Sequence, residues 1–151
     1  MEQALNNIRA ICAGEPDVIA NMATISCELF HGDERFDWVG FYRNIGDDTL
    51  KIGPYQGGHG CLTIPFSRGV CGKAARTRRT VIVDDVNSFE GHIACATSTV
   101  SEIVLPVVAA DGALLGVLDI DSDRASAFAT ADADLLEAML YDIFAIAQKS
   151  A

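Results

Sequence analysis

Residues 103–121, IVLPVVAADGALLGVLDID, are two apolar runs divided by Asp111-Gly112. Asp-Gly between such runs favours a tight type I′ hairpin, in which both central residues take positive φ. A second hairpin is expected upstream, where DWVGFYR (37–43) and TLKIGPY (49–55) flank the turn residues Gly46, Asp47 and Asp48. LTIPF (62–66) and TVIV (80–83) read as two further short strands, with a short helix, VCGKAART (70–77), between them. Hairpins join the strands and no regular βαβ alternation appears, so the pattern predicts an α+β fold with a mainly antiparallel sheet.

Outside this strand-rich centre the period is helical. The first 30 residues read as two helices parted at Gly14 and Pro16, with Pro16 and Asp17 in a first turn and Val18, Met22, Ile25 and Leu29 at helical spacing. Cys12 and Cys27 fall in these helices and read as small buried hydrophobes. A polar loop is expected from Asp84 to Ser101. At the other end Thr130 is placed to cap a helix carrying Asp132 and Asp134 in its first turn and Leu135, Leu136, Met139, Ile143 and Ile146 along its apolar side.

The chain has 151 residues, the size of one domain, and no linker or repeat divides it, so 1–151 is read as a single domain. Its net charge of −10 has the wrong sign for a nucleic-acid partner, and the basic cluster Arg76, Arg78, Arg79 reads as a solvated turn. No apolar run is long enough to span a membrane. The start, MEQALNNIRAICAGEP, lacks the pattern of an export signal, so a cytoplasmic location is expected. Five cysteines in such a compartment point to redox chemistry rather than a disulfide framework. No CxxC, HxxxH or HExxH spacing occurs, so neither a metal nor another cofactor is expected.

Three groups of residues could carry chemistry. Strand alternation in GVLDIDS puts Val117, Asp119 and Asp121 on one face, the two carboxylates about 6.5 to 7 Å apart, and the hairpin could bring Glu102 to the same end. Three converging, desolvated acids would raise at least one pKa and supply a proton donor near neutral pH. Cys95 sits in the loop segment GHIACAT, while Cys61 and Cys71 flank a strand and a turn that could bring both to the same end of the sheet. A thiolate with a second thiol in reach is the minimum equipment for sulfoxide or peroxide reduction through a sulfenic acid. Trp38 and Tyr42 share a face across Gly40, leaving room for a small apolar ligand group between the rings.

The segments WVGFY (38–42), IPFSRGVCGKAA (64–75), GHIACATSTVSEIVLPV (91–107) and DGALLGVLDIDS (111–122), in this order, resemble the GAF-domain free methionine-(R)-sulfoxide reductases. The resemblance implies a GAF-like sheet with helices on its faces, and reduction of free rather than protein-bound methionine sulfoxide. It further implies Cys95 as nucleophile, Cys61 and Cys71 as recycling thiols, Glu102, Asp119 and Asp121 as acids around the substrate, and Trp38 and Tyr42 as walls near its methyl group. Ala96 and Val100 stand where the family commonly has aspartate and arginine.

These residues suggest a mechanism in which one protonated acid bonds the sulfoxide oxygen while a remaining carboxylate pairs with the ammonium of the free amino acid. Backbone N–H groups before Cys95 would hold the substrate carboxylate. A thioredoxin-type dithiol would reduce the resulting disulfide. Cys61 is favoured as the main resolving thiol because its approach, GGHGC (57–61), is rich in glycine; the alternative is that Cys71 forms the first disulfide with Cys95 and Cys61 relays it outward. The rival reading is a non-enzymatic GAF sensory module, which leaves three thiols beside three acids unexplained. The apolar terminal helices lead us to expect a homodimer.

Overall fold

In the computed structural model, which describes residues 1–146, six strands form one sheet in the order β3-β2-β1-β6-β5-β4. The strands are β1 (Trp38–Asn44), β2 (Thr49–Gln56), β3 (Thr63–Pro65), β4 (Val81–Val83), β5 (Ser101–Val108) and β6 (Leu114–Ser122). Every neighbouring pair is antiparallel. Four α-helices accompany the sheet, α1 (Glu2–Ile11), α2 (Val18–Gly32), α3 (Gly69–Thr77) and α4 (Thr130–Leu140), and α4 continues into a π-helical turn, Tyr141–Ile146. Among the described residues no helix is long and apolar enough to cross a membrane.

Strand alternation sorts the side chains into two layers. Val39 and Phe41 of β1, Ile103, Leu105 and Val107 of β5, and Leu118 and Ile120 of β6 face α1, α2 and α4 in the larger core. Each fully buried Ile, Leu or Phe there contributes roughly 1.5 to 3 kcal/mol of transfer free energy. The opposite face carries Trp38, Tyr42, Val104 and Val117 with Leu50, Ile64, Val70 and Ala74, so α3 and the loops cover it. All candidate site residues lie on this second, more thinly covered face.

Several local expectations need correction. The 109–113 turn is not type I′: Gly112 has φ +87 but Asp111 is not at positive φ, and Gly112 N–H donates to Ala109 O. Ala109 N–H also donates to Ala113 O, so the loop has three residues and needs only one left-handed position, which glycine supplies. Thr130 does not cap α4; instead the Asp132 carboxylate accepts from Ala129 N–H at 2.9 Å. Asp17 precedes α2 as its N-cap, accepting from Ala20 N–H at 3.0 Å, so Pro16 lies outside the helix.

Cys12 is buried as expected, but Cys27 is exposed. The buried stripe of α2 runs through Met22, Ile25, Ser26 and Leu29, and Cys27 falls off it. On α4 Leu136 and Met139 are buried, and Ile143 follows them in the π-turn, whereas Leu135 is 39% exposed. The side chain of Ile146 lies outside the described residues.

Candidate active site

The adjacent strands β1, β6 and β5 build the floor of the site. Gly40 pairs with Asp119, Trp38 with Asp121, and Glu102 with Asp121, which sets the three acids beside the aromatic residues of β1. One oxygen from each of Glu102, Asp119 and Asp121 lies within 4.8 Å of the other two. Glu102 and Asp119 are each 6% exposed. A cluster of this geometry could receive a cation, either a metal ion or an ammonium group.

Burial dominates the electrostatics. It pushes the Glu102 carboxyl well above its usual range, with the Asp121 charge adding to the effect. Asp119 is likewise pushed well above by burial and then by Asp121 and Glu102. Burial also raises Asp121, to about 6, against the opposing effect of hydrogen bonds from Glu102 and Asp119. The cluster therefore titrates as a unit and retains protons near neutrality. His92 Nε2 is 3.7 Å from Glu102 Oε1, but burial lowers the imidazole pKa, so at neutral pH this is a contact with a neutral ring.

Two of the three candidate thiols are joined: Cys61 and Cys95 form a disulfide, with Cα atoms 5.1 Å apart. The glycine-rich approach to Cys61 lies over the aromatic residues. Trp38 Nε1 donates to Gly58 O at 2.9 Å, and a Cβ on Gly60 would come within 2.9 Å of Tyr42 Oη. Cys71 is a buried free thiol on α3, and its Sγ donates to Asp119 Oδ2 at 3.4 Å.

The room foreseen between Trp38 and Tyr42 is filled. The Trp38 ring folds across Gly40, where a Cβ would meet its Cη2 at 2.4 Å, and stacks 6.0 Å from Tyr42. Its other neighbour, Tyr55 of β2, stacks at 5.4 Å and was not anticipated, because only the β1–β2 register brings it opposite Gly40. The cavity over the acids measures about 30 Å³ and is walled by Tyr42, Cys71, Cys95, Glu102, Asp119 and Asp121. Trp38 instead lines an adjoining cleft of about 200 Å³ with Asp37, Gly58, His59, Ala96 and Thr99. At about 30 Å³ the chamber over the acids is the narrower of these two spaces.

In the segment before Cys95, the N–H groups of His92 and Cys95 are already used, donating to Phe89 O and Ile93 O. The contact of His92 with Glu102 is not legible in the sequence. Nothing in its spacing marks it, and it reaches Glu102 only because the loop folds back over β5.

The sheet order and the helices on its faces define a GAF domain, and residues 12–146 match the sequence family described as "GAF domain". A protein of Saccharomyces cerevisiae named free methionine-R-sulfoxide reductase is 39% identical over 143 residues, covering 91% of this chain and 79% of the relative. The Escherichia coli protein of the same name is 44% identical over 116 residues, covering 77% and 69%. An X-ray structure of free methionine-R-sulfoxide reductase from Neisseria meningitidis in complex with its substrate matches with a TM-score of 0.88 at 36% identity, covering 99% of this chain and 91% of that one. The chain belongs to the GAF-domain free methionine-(R)-sulfoxide reductase family.

Proposed function

We propose that the protein reduces free L-methionine (R)-sulfoxide to methionine, with Cys95 as nucleophile, Cys61 as resolving thiol and the Glu102, Asp119, Asp121 cluster as acid and ammonium partner. The observation that carries this reading is the Cys61–Cys95 bond at the wall of a chamber built on three buried acids. In the reduced protein the Cys95 thiolate attacks the sulfoxide sulfur while a protonated acid of the cluster bonds the oxygen. Oxygen passes to Cys95, which becomes a sulfenic acid, and methionine leaves. The Cys61 thiol then attacks Cys95, forming the disulfide and releasing water.

A remaining carboxylate pairs with the substrate ammonium, a group that a methionine sulfoxide inside a protein lacks. The backbone N–H groups of Ile93 and Ala94, between the occupied ones of His92 and Cys95, are the candidates for its carboxylate. Tyr42 walls the chamber, and Trp38 joins it once the 57–61 segment is released by reduction. Preference for the R epimer rests on the named relatives.

A thioredoxin-type dithiol regenerates both thiols by exchange through a mixed disulfide. The exposed Ile11, Ile19, Leu135 and Tyr141 on the helical layer favour a homodimer through that layer. Sedimentation at micromolar concentration should give twice the chain mass.

The activity is tested by supplying the R and S epimers separately with dithiothreitol and measuring free methionine. Turnover of R alone, with N-acetylated substrate much slower, is the expected result. No release from either epimer would return the lead to a sensory module that only binds a ligand.

A further inference from the structure

Cys71 is the thiol that the disulfide leaves out, and its surroundings argue against a role in moving electrons. It is 5% exposed, near the start of α3, a helix seated so tightly that a Cβ on the next residue, Gly72, would lie 2.7 Å from the carbonyl oxygens of Pro65 and Phe66. A thiol that relays oxidation outward must meet both the internal disulfide and an external reductant, and this one has neither freedom nor exposure. Burial, together with the charges of Asp119, Glu102 and Asp121, pushes its pKa well up, away from the thiolate that exchange requires.

Its one polar contact is to the acid cluster. Cys71 Sγ donates to Asp119 Oδ2, while Asp119 Oδ1 is buried, accepts no hydrogen bond from any donor outside the acid cluster and belongs to a residue in the chamber wall. A buried carboxyl fixed at one oxygen by a thiol, with no donor from outside the cluster at the other, is set to receive a donor at that second oxygen. We propose that Cys71 is a positioning residue: its thiol, by donating to Asp119 Oδ2, holds the carboxyl so that Oδ1 meets the substrate, and it does not carry electrons between the disulfide and the reductant. This inference rests on the reading of the site as a methionine sulfoxide reductase.

The test compares Cys71→Ala with Cys71→Ser in single turnover and in steady state, with dithiothreitol and with a thioredoxin system. Serine keeps a donor and alanine does not, whereas neither has the sulfur a relay needs. Cys71→Ala should slow the first turnover about fivefold, whichever reductant follows, and Cys71→Ser should recover at least half of that loss.

A pH–rate profile separates positioning from mere packing. The groups facing Asp119 are Glu102 from β5, Asp121 from β6, Tyr42 from β1 and Cys71 from α3, with His92 beside Glu102. The thiol donor favours ionised Asp119, so its removal should move the apparent pKa of the cluster upward. Wild-type enzyme quenched during turnover and alkylated should show Cys71 always as a free thiol, a result that needs no variant to fold.

Equal losses in Ala and Ser confined to steady state with thioredoxin, or Cys71 found in a disulfide, would overturn the proposal, as would a Cys71→Ala enzyme as fast as the wild type. A wild type that releases no methionine would instead refute the activity itself.

Discussion

Glu102 and Asp121 stand directly opposite each other across β5 and β6, two carboxylates in one cross-strand pair of a buried sheet face. Like charges at such a position destabilise a sheet, and burial magnifies the cost. Neutralising either one should therefore trade activity for stability. Asp121→Asn and Glu102→Gln are each expected to lower turnover by about a hundredfold or more through loss of the proton donor or ammonium partner. Asp121→Asn should also raise the melting midpoint at pH 8 by roughly 4 °C. Turnover assays and thermal melts of the same preparations check both halves.

The wild type should show the same cost as a function of pH. The folded-state pKa of Asp121, about 6, lies above that of an unfolded aspartate, so the folded protein keeps a proton that the unfolded chain releases earlier. This contribution is fully present below about pH 4 and is lost as the pH rises through about 6. Urea melts between pH 4 and 8 should show that decline in the wild type, and a smaller one in Asp121→Asn.

The thiols divide in the same experiment format. Cys95→Ser is expected to release no methionine even in a single turnover, because a hydroxyl is too weakly acidic to attack without a base. Cys61→Ser should still release up to one methionine per site and then stall with a dithiol protein reductant. A small thiol that attacks the sulfenic acid directly should restart it.

The sequence pattern displays the sheet and the chemistry more fully than it displays how they meet. The alternation in GVLDIDS places Asp119 and Asp121 on one face, and the hairpin brings Glu102 opposite Asp121, because strand period and turn position are local properties. The bond between Cys61 and Cys95 is the pairing that the flexible GGHGC approach favours. By contrast, the Cys71–Asp119 contact spans 48 residues and depends on how α3 seats on the sheet. The supposed gap at Gly40 fails for a related reason: a glycine opens space, and the large ring of Trp38 takes it. Cys27 is exposed because its angle on α2, not its residue type, decides burial.

Arg35, absent from the sequence reading, ties three segments together. It donates to Asp33 at 2.8 Å, to both oxygens of Asp132 at 3.0 Å and to Ala127 O at 3.0 Å. Arg35→Ala should cost about 2 kcal/mol at pH 7, most of it from the bidentate Asp132 pair. Its guanidinium lowers the pKa of Asp33 and Asp132, so their contribution is present above about pH 4 and fades as the pH falls through their folded values. Denaturation of wild type and variant at pH 7 and pH 3 should show the gap narrowing.

Gly116 of β6 packs directly against the β1 backbone, where a Cβ would lie 2.1 Å from Tyr42 O. Backbone cannot yield there without parting the strands that carry the acids. Gly116→Ala should lose about 3 kcal/mol of stability, and much of the activity with it. A variant as stable as the wild type would show that the strands separate more freely than this contact implies.

The strand order has a last consequence, for how the molecule behaves in a crowd of its own copies. The outermost strands, β3 and β4, are only three residues long, so β2 and β5 run on past their pairing with them. Beyond the last residues paired with β3 and β4 stands a proline on each strand, Pro54 on β2 and Pro106 on β5, and neither has a backbone N–H to donate. At Pro54 the carbonyl is occupied as well, by the Ser26 hydroxyl at 3.2 Å. A strand from a neighbouring molecule therefore finds a short and interrupted template at either margin, which opposes growth of the sheet into aggregates.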